Sequence, residues 1–429
     1  MSVGQDRLDW NGPCGRPGSR ARTGRLLLLM LLACLPTVLA ACEPAPPPAP
    51  QTGRQGVSAT EIRIGASLPL SGHAAYLGQE TLRGAASYLA HVNARGGVHG
   101  RTISLITRDD GYDPPRCVDN TQRLIIEDQV FALSCYVGTP TTTKILPMLV
   151  EAKIPLVGAF TGAYDLRVPF QRYVVNVRPS YYQETASAVE HLVEDLGLER
   201  IGVFYQYDAY GFDGLKGTEL ALRGYSMAPV ARGSYARGTM DVEEGLAKIL
   251  ESKAQAVVII GTSAPSAKFI QLAMERNPEL VFYAVSFVGA EEIARMLGPQ
   301  ETARVLVSQV MPPPDLPETQ ALLWGVREYE DLLRQSFPGH PPTAVGLEGF
   351  INAKVLVEGL RRAGPDLDRE RFIESLETIK DYSLGLANTL AYAPGDHQGL
   401  ERVYFTKLEK GRFVLVTDWS KPFAVRDCQ

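Results

Sequence analysis

The chain reads as an α/β protein with two doubly wound parallel-sheet lobes. Short apolar runs alternate with stretches of helical apolar spacing over most of its length, the signature of parallel strands covered by helices on both faces. The number of such runs exceeds what one ordinary sheet holds. In addition, Pro179 and Pro312-Pro313-Pro314 fall directly after two of them, where a crossing between lobes needs stiff, non-helical backbone. These features predict one lobe over residues 57–178 and 312–390, and a second over 179–311 and 391–429.

Taken in order, Ile62–Leu70 is a strand ending in Pro69-Leu70-Ser71-Gly72, and Thr81–Asn93 follows with Leu82, Ala85, Ala86, Leu89 and Val92 at helical spacing. Arg95-Gly96-Gly97 stops that helix. Ile103–Thr107, Ile125–Leu133, Lys153–Val157 and Val174–Val177 predict further strands. In the second lobe the strands are Ile201–Tyr205, Ala256–Ile260, Val281–Val285 and Arg304–Val310. Near the end, Asn388–Ala393 and Val403–Lys407 read as strands joined by a hairpin turn at Asp396-His397-Gln398-Gly399. Ligands of open α/β sheets bind outside the carboxyl ends of the strands. Two such lobes face to face would share one cleft.

Ahead of this pattern lies an Arg-rich segment, the apolar run Leu26–Leu32, and Leu39-Ala40-Ala41-Cys42. A charged region, an apolar stretch and small residues form an export signal, placed over residues 1–41. The apolar run is short and broken by Pro36, too brief to span a bilayer. Leu-Ala-Ala-Cys resembles a bacterial lipobox, which implies lipidation of Cys42 and tethering in the periplasm or cell envelope; cleavage after Val38-Leu39-Ala40 is the other reading. Residues 42–56, rich in Pro and Ala, suit an extended spacer. With Cys42 acylated, Cys117 and Cys135 are placed to form a disulfide in an oxidising compartment, two buried reduced thiols being the alternative. Cys428, one residue from the end, reads as a free thiol.

The 429 residues carry 43 Lys and Arg against 48 Asp and Glu, with no basic run after the signal, which argues against nucleic acid as a partner. Six histidines show no metal-ligand spacing, and only His73 falls in a cleft loop. No Gly-x-Ser-x-Gly elbow, Walker loop or dinucleotide fingerprint is present. The expectation is a binding protein without catalytic residue, cofactor or metal.

Three motifs then carry a resemblance: Ile64–Gly72, Asn93–Arg101 with its Arg95-Gly96-Gly97, and Asp109-Asp110-Gly111-Tyr112-Asp113-Pro114. In order and spacing they resemble type I periplasmic binding proteins, in particular the leucine/isoleucine/valine-binding proteins of ABC importers. The resemblance covers nearly all of Val57–Val425. It implies two lobes joined by three hinge crossovers, a small organic ligand, and partnership with the permease and ATPase subunits of an ABC importer. A monomer is the simplest expectation.

By position, the resemblance assigns ligand contacts to Ser71, Tyr76, Tyr136, Thr139, Phe160 and Thr161 in the first lobe. In the second it assigns Tyr210, Thr262, Ser286 and Phe287. Each hydroxyl is equally suited to cap a helix, and Tyr210 to serve as a core or hinge aromatic. The chain departs from amino-acid binders of this family at Ser286-Phe287-Val288-Gly289, where they place an acidic residue for the ligand's ammonium. A buried ammonium without a carboxylate costs several kcal/mol. An α-amino acid is therefore disfavoured unless Glu291 or Asp208 stands in, and the aromatic residues point to an apolar or aromatic carboxylate. A periplasmic carrier for sterols or other lipids, acting with a lipid-transport complex, and a sensor partnered with a signalling protein are the alternatives.

Overall fold

The computed structural model describes residues 54–299, 304–420 and 422–423. The expected signal, Cys42, most of the spacer and Cys428 lie outside the described residues. Gln55 and Gly56 already belong to the packed body. The Gln55 side chain donates to Ile125 O at 2.8 Å, and a Cβ on Gly56 would lie 2.2 Å from Phe131 N. The spacer boundary expected at residue 56 therefore falls slightly late.

Two sheets form the body. The first holds β1 (Glu61–Leu68), β2 (Thr102–Asp109), β3 (Ala132–Ser134), β4 (Leu156–Val157) and β5 (Val174–Val175), in the spatial order β2-β1-β3-β4-β5 and parallel throughout. The second contains β6 (Ile201–Gln206), β7 (Arg232–Tyr235), β8 (Ala256–Ile260), β9 (Val281–Ala284) and β10 (Val305–Gln309) in the matching order β7-β6-β8-β9-β10. A two-stranded ribbon, β11 (Tyr382–Ser383) and β12 (Thr389–Leu390), lies apart. β13 (Tyr404–Glu409) and β14 (Arg412–Leu415) extend the second sheet antiparallel from β10.

Period-2 alternation explains why these strands are apolar on both faces. In β8, Ala256, Val258 and Ile260 face one buried cluster, while Val257 and Ile259 face another. In the first sheet, Ala132 and Leu133 are divided the same way. The shared cluster joins the facing sides of both lobes.

Each sheet repeats a strand order that reverses direction beside its first strand, so a crevice opens at the carboxyl ends on either side of that switch. The chain leaves the first sheet after β5, returns to the first lobe after β10 through helices that include Ala344–Ala363, and crosses back before β13. The first and third crossings run side by side: Asn176 N donates to His397 O at 2.9 Å, and Leu400 N to Val177 O at 2.7 Å. The expected hairpin at Asp396–Gly399 is thus a lobe crossing. His397 is buried there, with its ring nitrogens on Val174 O at 3.0 Å and Glu377 at 3.1 Å.

Other boundaries also moved. Ile125 and Ile126 end the helix Pro114–Ile126 instead of starting a strand; Gln129 then takes positive φ and turns the chain into β3. The edge strand β7 is read poorly from Arg-Gly-Ser-Tyr because only Gly233 and Tyr235 are buried. Helix Ala75–Ala94 begins six residues before the expected start at Thr81. It packs closely on Ala344–Ala363, and a Cβ on Gly84 would lie 1.8 Å from Gly346 O.

Cys117 and Cys135 are free and buried, which corrects the expected disulfide. Cys135 faces the cluster between the lobes, whereas Cys117, on helix Pro114–Ile126, lies in the cluster behind the first sheet. The sheet separates them. No helix among the described residues is long and apolar enough to cross a membrane.

Candidate functional site

The loops at the carboxyl ends of the two sheets meet, and aromatic rings fill their junction. Phe287 projects from the second lobe against Phe160 and Tyr112 of the first, with ring centroids 5.7 and 5.9 Å away. Tyr210 lies tilted against Phe287, centroids 4.7 Å apart, and against Tyr181 at 5.2 Å. His73 meets Tyr112 edge-on at 5.3 Å. Burial first, and then Arg237, lower the His73 pKa. Such tilted and edge-to-face pairs are worth about 0.5–1.5 kcal/mol each beyond their buried area.

Hydroxyls line the same junction. Thr139 and Thr161 are hydrogen-bonded at 2.7 Å, and Thr161 donates to the Tyr181 hydroxyl at 3.4 Å. Thr139 opens the short helix Thr139–Thr142, following Gly138 at φ 99°, a conformation that favours glycine. Across the cleft, Thr262 N donates to the Tyr235 hydroxyl at 3.0 Å, and Tyr235 donates to Gln206 Oε1 at 3.1 Å. Tyr112 stays neutral: burial, reinforced by the Asp208 charge, holds its pKa well above the ordinary value.

Of the ten residues assigned from sequence, Phe160, Phe287, Tyr210, Thr139 and Thr161 come together here, with Thr262 on the facing wall. Ser71 is held by Asp109, its Oγ donating at 2.5 Å in an exposed turn. Tyr76 donates to Glu291 at 3.2 Å near the lobe junction. Tyr136 is corrected: it lies behind the first sheet, with its hydroxyl 2.8 Å from Thr121 Oγ1, because Cys135, just past the end of β3, takes φ 59° and breaks the alternation that would have kept Tyr136 on the Ala132 side.

Ser286 has a different setting from the one its position suggested. Its N–H and Oγ donate to Glu184 at 2.8 and 2.9 Å, and Arg178 donates to its Oγ. Ser308 also donates to Glu184, at 2.5 Å. Arg178 pairs with Glu184 at 3.2 Å and approaches Glu348 at 3.5 Å, while its guanidinium lies 4.9 Å from the Phe160 ring centroid. Glu184 comes from helix Tyr181–Glu190 and Glu348 from Ala344–Ala363, so this buried charge cluster ties the first crossing to both lobes. Sequence reading placed a lobe crossing at Pro179 but missed these charges. The only local signal was a charged residue beside Pro179 inside an otherwise apolar strand end.

Neither carboxylate considered as a stand-in is free. Asp208 caps helix Ala209–Gly224, accepting from Tyr210 N at 3.0 Å and Gly211 N at 3.3 Å. Glu291 accepts from Ala344 N at 2.7 Å as well as from Tyr76, and burial pushes its pKa up to about 7.

Two doubly wound lobes with apposed strand ends and three crossings define a bilobed solute-binding fold. A family model described as periplasmic binding protein matches residues 61–412, and the chain belongs to that family, which implies an extracytoplasmic location. The Leu/Ile/Val-binding protein homolog 7 of Brucella abortus is 24% identical over 327 residues, covering 73% of this chain and 79% of that protein. Among solved structures, a possible leucine/isoleucine/valine-binding protein from Rhodopirellula baltica superposes with a TM-score of 0.80 at 35% identity, covering 86% of this chain and 99% of that one. A substrate-binding periplasmic protein from Ralstonia solanacearum gives 0.74 at 30% identity, covering 82% and 99%.

Proposed function

We propose that this protein captures a small organic ligand between its lobes and delivers it to a membrane transporter, an ABC importer of the branched-chain amino acid type. The ligand class we favour is an apolar or aromatic carboxylate. The observation that carries the reading is the junction of Phe287, Phe160, Tyr112 and Tyr210 beside the hydroxyls of Thr139 and Thr161. The rings offer apolar surface, and the hydroxyls offer donors to a carboxylate. Lobes 57–178 with 312–390 and 179–311 with 391–429 would then move about the crossings, and a ligand touching both would favour their apposition by population shift. The reading includes no catalysis, and tethering through a lipidated Cys42 belongs to it.

A thermal-shift panel of branched-chain amino acids, aromatic acids and sterols tests the assignment. Stabilisation by aromatic acids supports it, and stabilisation by sterols alone would move the function to lipid carriage. A flat response to every compound would remove the solute-capture reading.

A further inference from the structure

We infer that a chamber behind the aromatic junction accepts a hydrogen-bond-donating group of the ligand, a hydroxyl or an ammonium, with Glu348 and Gln309 as its acceptors. The inference rests on the solute-binding reading and narrows the ligand to an apolar or aromatic acid with a second polar group.

The chamber has a volume of about 10 Å³ and is lined by Phe160, Ser286, Gln309, Val310, Met311 and Glu348, among others. That is room for one water-sized group. Glu348 Oε1 and Gln309 Oε1 are buried there and make no hydrogen bond among the described residues. Buried acceptors left unpaired are costly, so the chamber calls for a donor. Of the polar groups around it, only Arg178 carries unspent donors, its Nε and Nη1, and neither is hydrogen-bonded to Glu348 or Gln309. The Ser286 hydroxyl donates to Glu184, and the Gln309 amide donates to Thr406 at 3.2 Å. Arg178 Nη1 lies 3.5 Å from Glu348 Oε1 without the alignment of a hydrogen bond.

Charge points the same way. Arg178 is shared between Glu184 and Glu348, and Glu184 is the better satisfied, with Ser286, Ser308 and Arg178 all donating to it. Arg167, the other cation that acts on Glu348, is engaged with Gln398 and with the carbonyls of Ala163 and Arg178. Phe160 walls both the chamber and the aromatic junction, so a ring resting on it could place a neighbouring substituent inside. A carboxylate on a first-lobe helix thereby fills the role that Ser286 leaves open at the strand end.

Three probes of matched shape decide the matter by calorimetry on the purified chain: L-phenylalanine with an ammonium, 3-phenyllactate with a hydroxyl, and 3-phenylpropionate with neither. At about pH 8 at least one donor-bearing probe should bind roughly tenfold or more tightly than 3-phenylpropionate. Burial pushes the Glu348 pKa up to about 7, against the pull of Arg178 and Arg167 and with the push of Glu184. The preference should therefore shrink at about pH 5.5, where Glu348 is protonated.

Glu348→Met should abolish the preference. Glu348→Gln should abolish it only if the donor is an ammonium, since the amide still accepts from a hydroxyl. If Glu348→Met does not fold, Gln309→Met is read by the same criterion. The inference is overturned if the three probes bind alike, if the preference survives in the Met variant, or if none of them binds. It also fails if a ligand-bound crystal structure shows one isolated water in the chamber. Equal binding of all three probes would leave solute capture standing, whereas a flat response across the wider panel removes both.

Discussion

Glu291, at the start of the second-lobe helix Ala290–Leu297, accepts a 2.7 Å hydrogen bond from the backbone N–H of Ala344, at the start of the first-lobe helix Ala344–Ala363. A carboxylate from one lobe thus sits at the positive end of a helix in the other, and Tyr76 donates to the same group. This contact exists only while the lobes are apposed.

A pH dependence follows. Burial raises the Glu291 pKa from its ordinary 4.5 to about 7, with Asp315 adding to the rise and the Ala344 and Tyr76 hydrogen bonds opposing it. A raised acid favours apposition fully below its ordinary pKa, and that contribution is lost as pH rises through 7, on the order of 3 kcal/mol in all. Small-angle scattering should show a more compact chain at about pH 5.5 than at about pH 8. Glu291→Gln, which keeps an acceptor but cannot ionise, should flatten the profile; an unchanged profile in that variant would disprove the role.

Thr161→Val removes the hydroxyl that bonds Thr139 and receives the Ala163 N–H at 3.3 Å. We expect about 1–2 kcal/mol of lost stability and a larger proportional loss in aromatic-acid affinity, roughly tenfold. Chemical denaturation and calorimetry together separate the two effects. Lost stability with unchanged affinity would make Thr161 a structural residue only.

Both described cysteines should react with an alkylating reagent without prior reduction, but only after unfolding. Burial pushes the Cys135 thiol up to about 11 and raises Cys117 further, so neither forms a thiolate in the folded chain. Mass spectrometry of the denatured, unreduced protein should find both labelled. A fragment linking Cys117 to Cys135 would restore the disulfide.

Gly84→Ala should destabilise the first lobe by about 2–3 kcal/mol, since the added methyl meets backbone at Gly346 O instead of a movable side chain. Urea unfolding measures it. A loss below roughly 0.5 kcal/mol would show that the helices can separate without penalty.

The residues that meet at the lobe junction were legible where chain position alone sets direction. Phe160, Thr161 and Phe287 follow strands whose carboxyl ends face the cleft, so a strand assignment was enough to place them. Tyr136 was misplaced because Cys135, just past the end of β3, takes φ 59°, a local break in alternation that an apolar run does not record. Cys117 and Cys135 were paired by counting thiols, a procedure blind to the sheet between them.

From the sequence came the alternation of strands and helices, the two lobes, the crossings beside Pro179 and Pro312, and the family likeness. Each depends on local periodicity or on motifs within a few residues of one another. Tertiary structure decided which polar groups meet. Arg178, Glu184, Ser286 and Glu348 are spread over 170 positions of chain yet share one buried cluster, and Glu291 meets Ala344 across the lobe boundary. Such charges attract according to distance and burial in space, and no periodicity along the chain records either quantity.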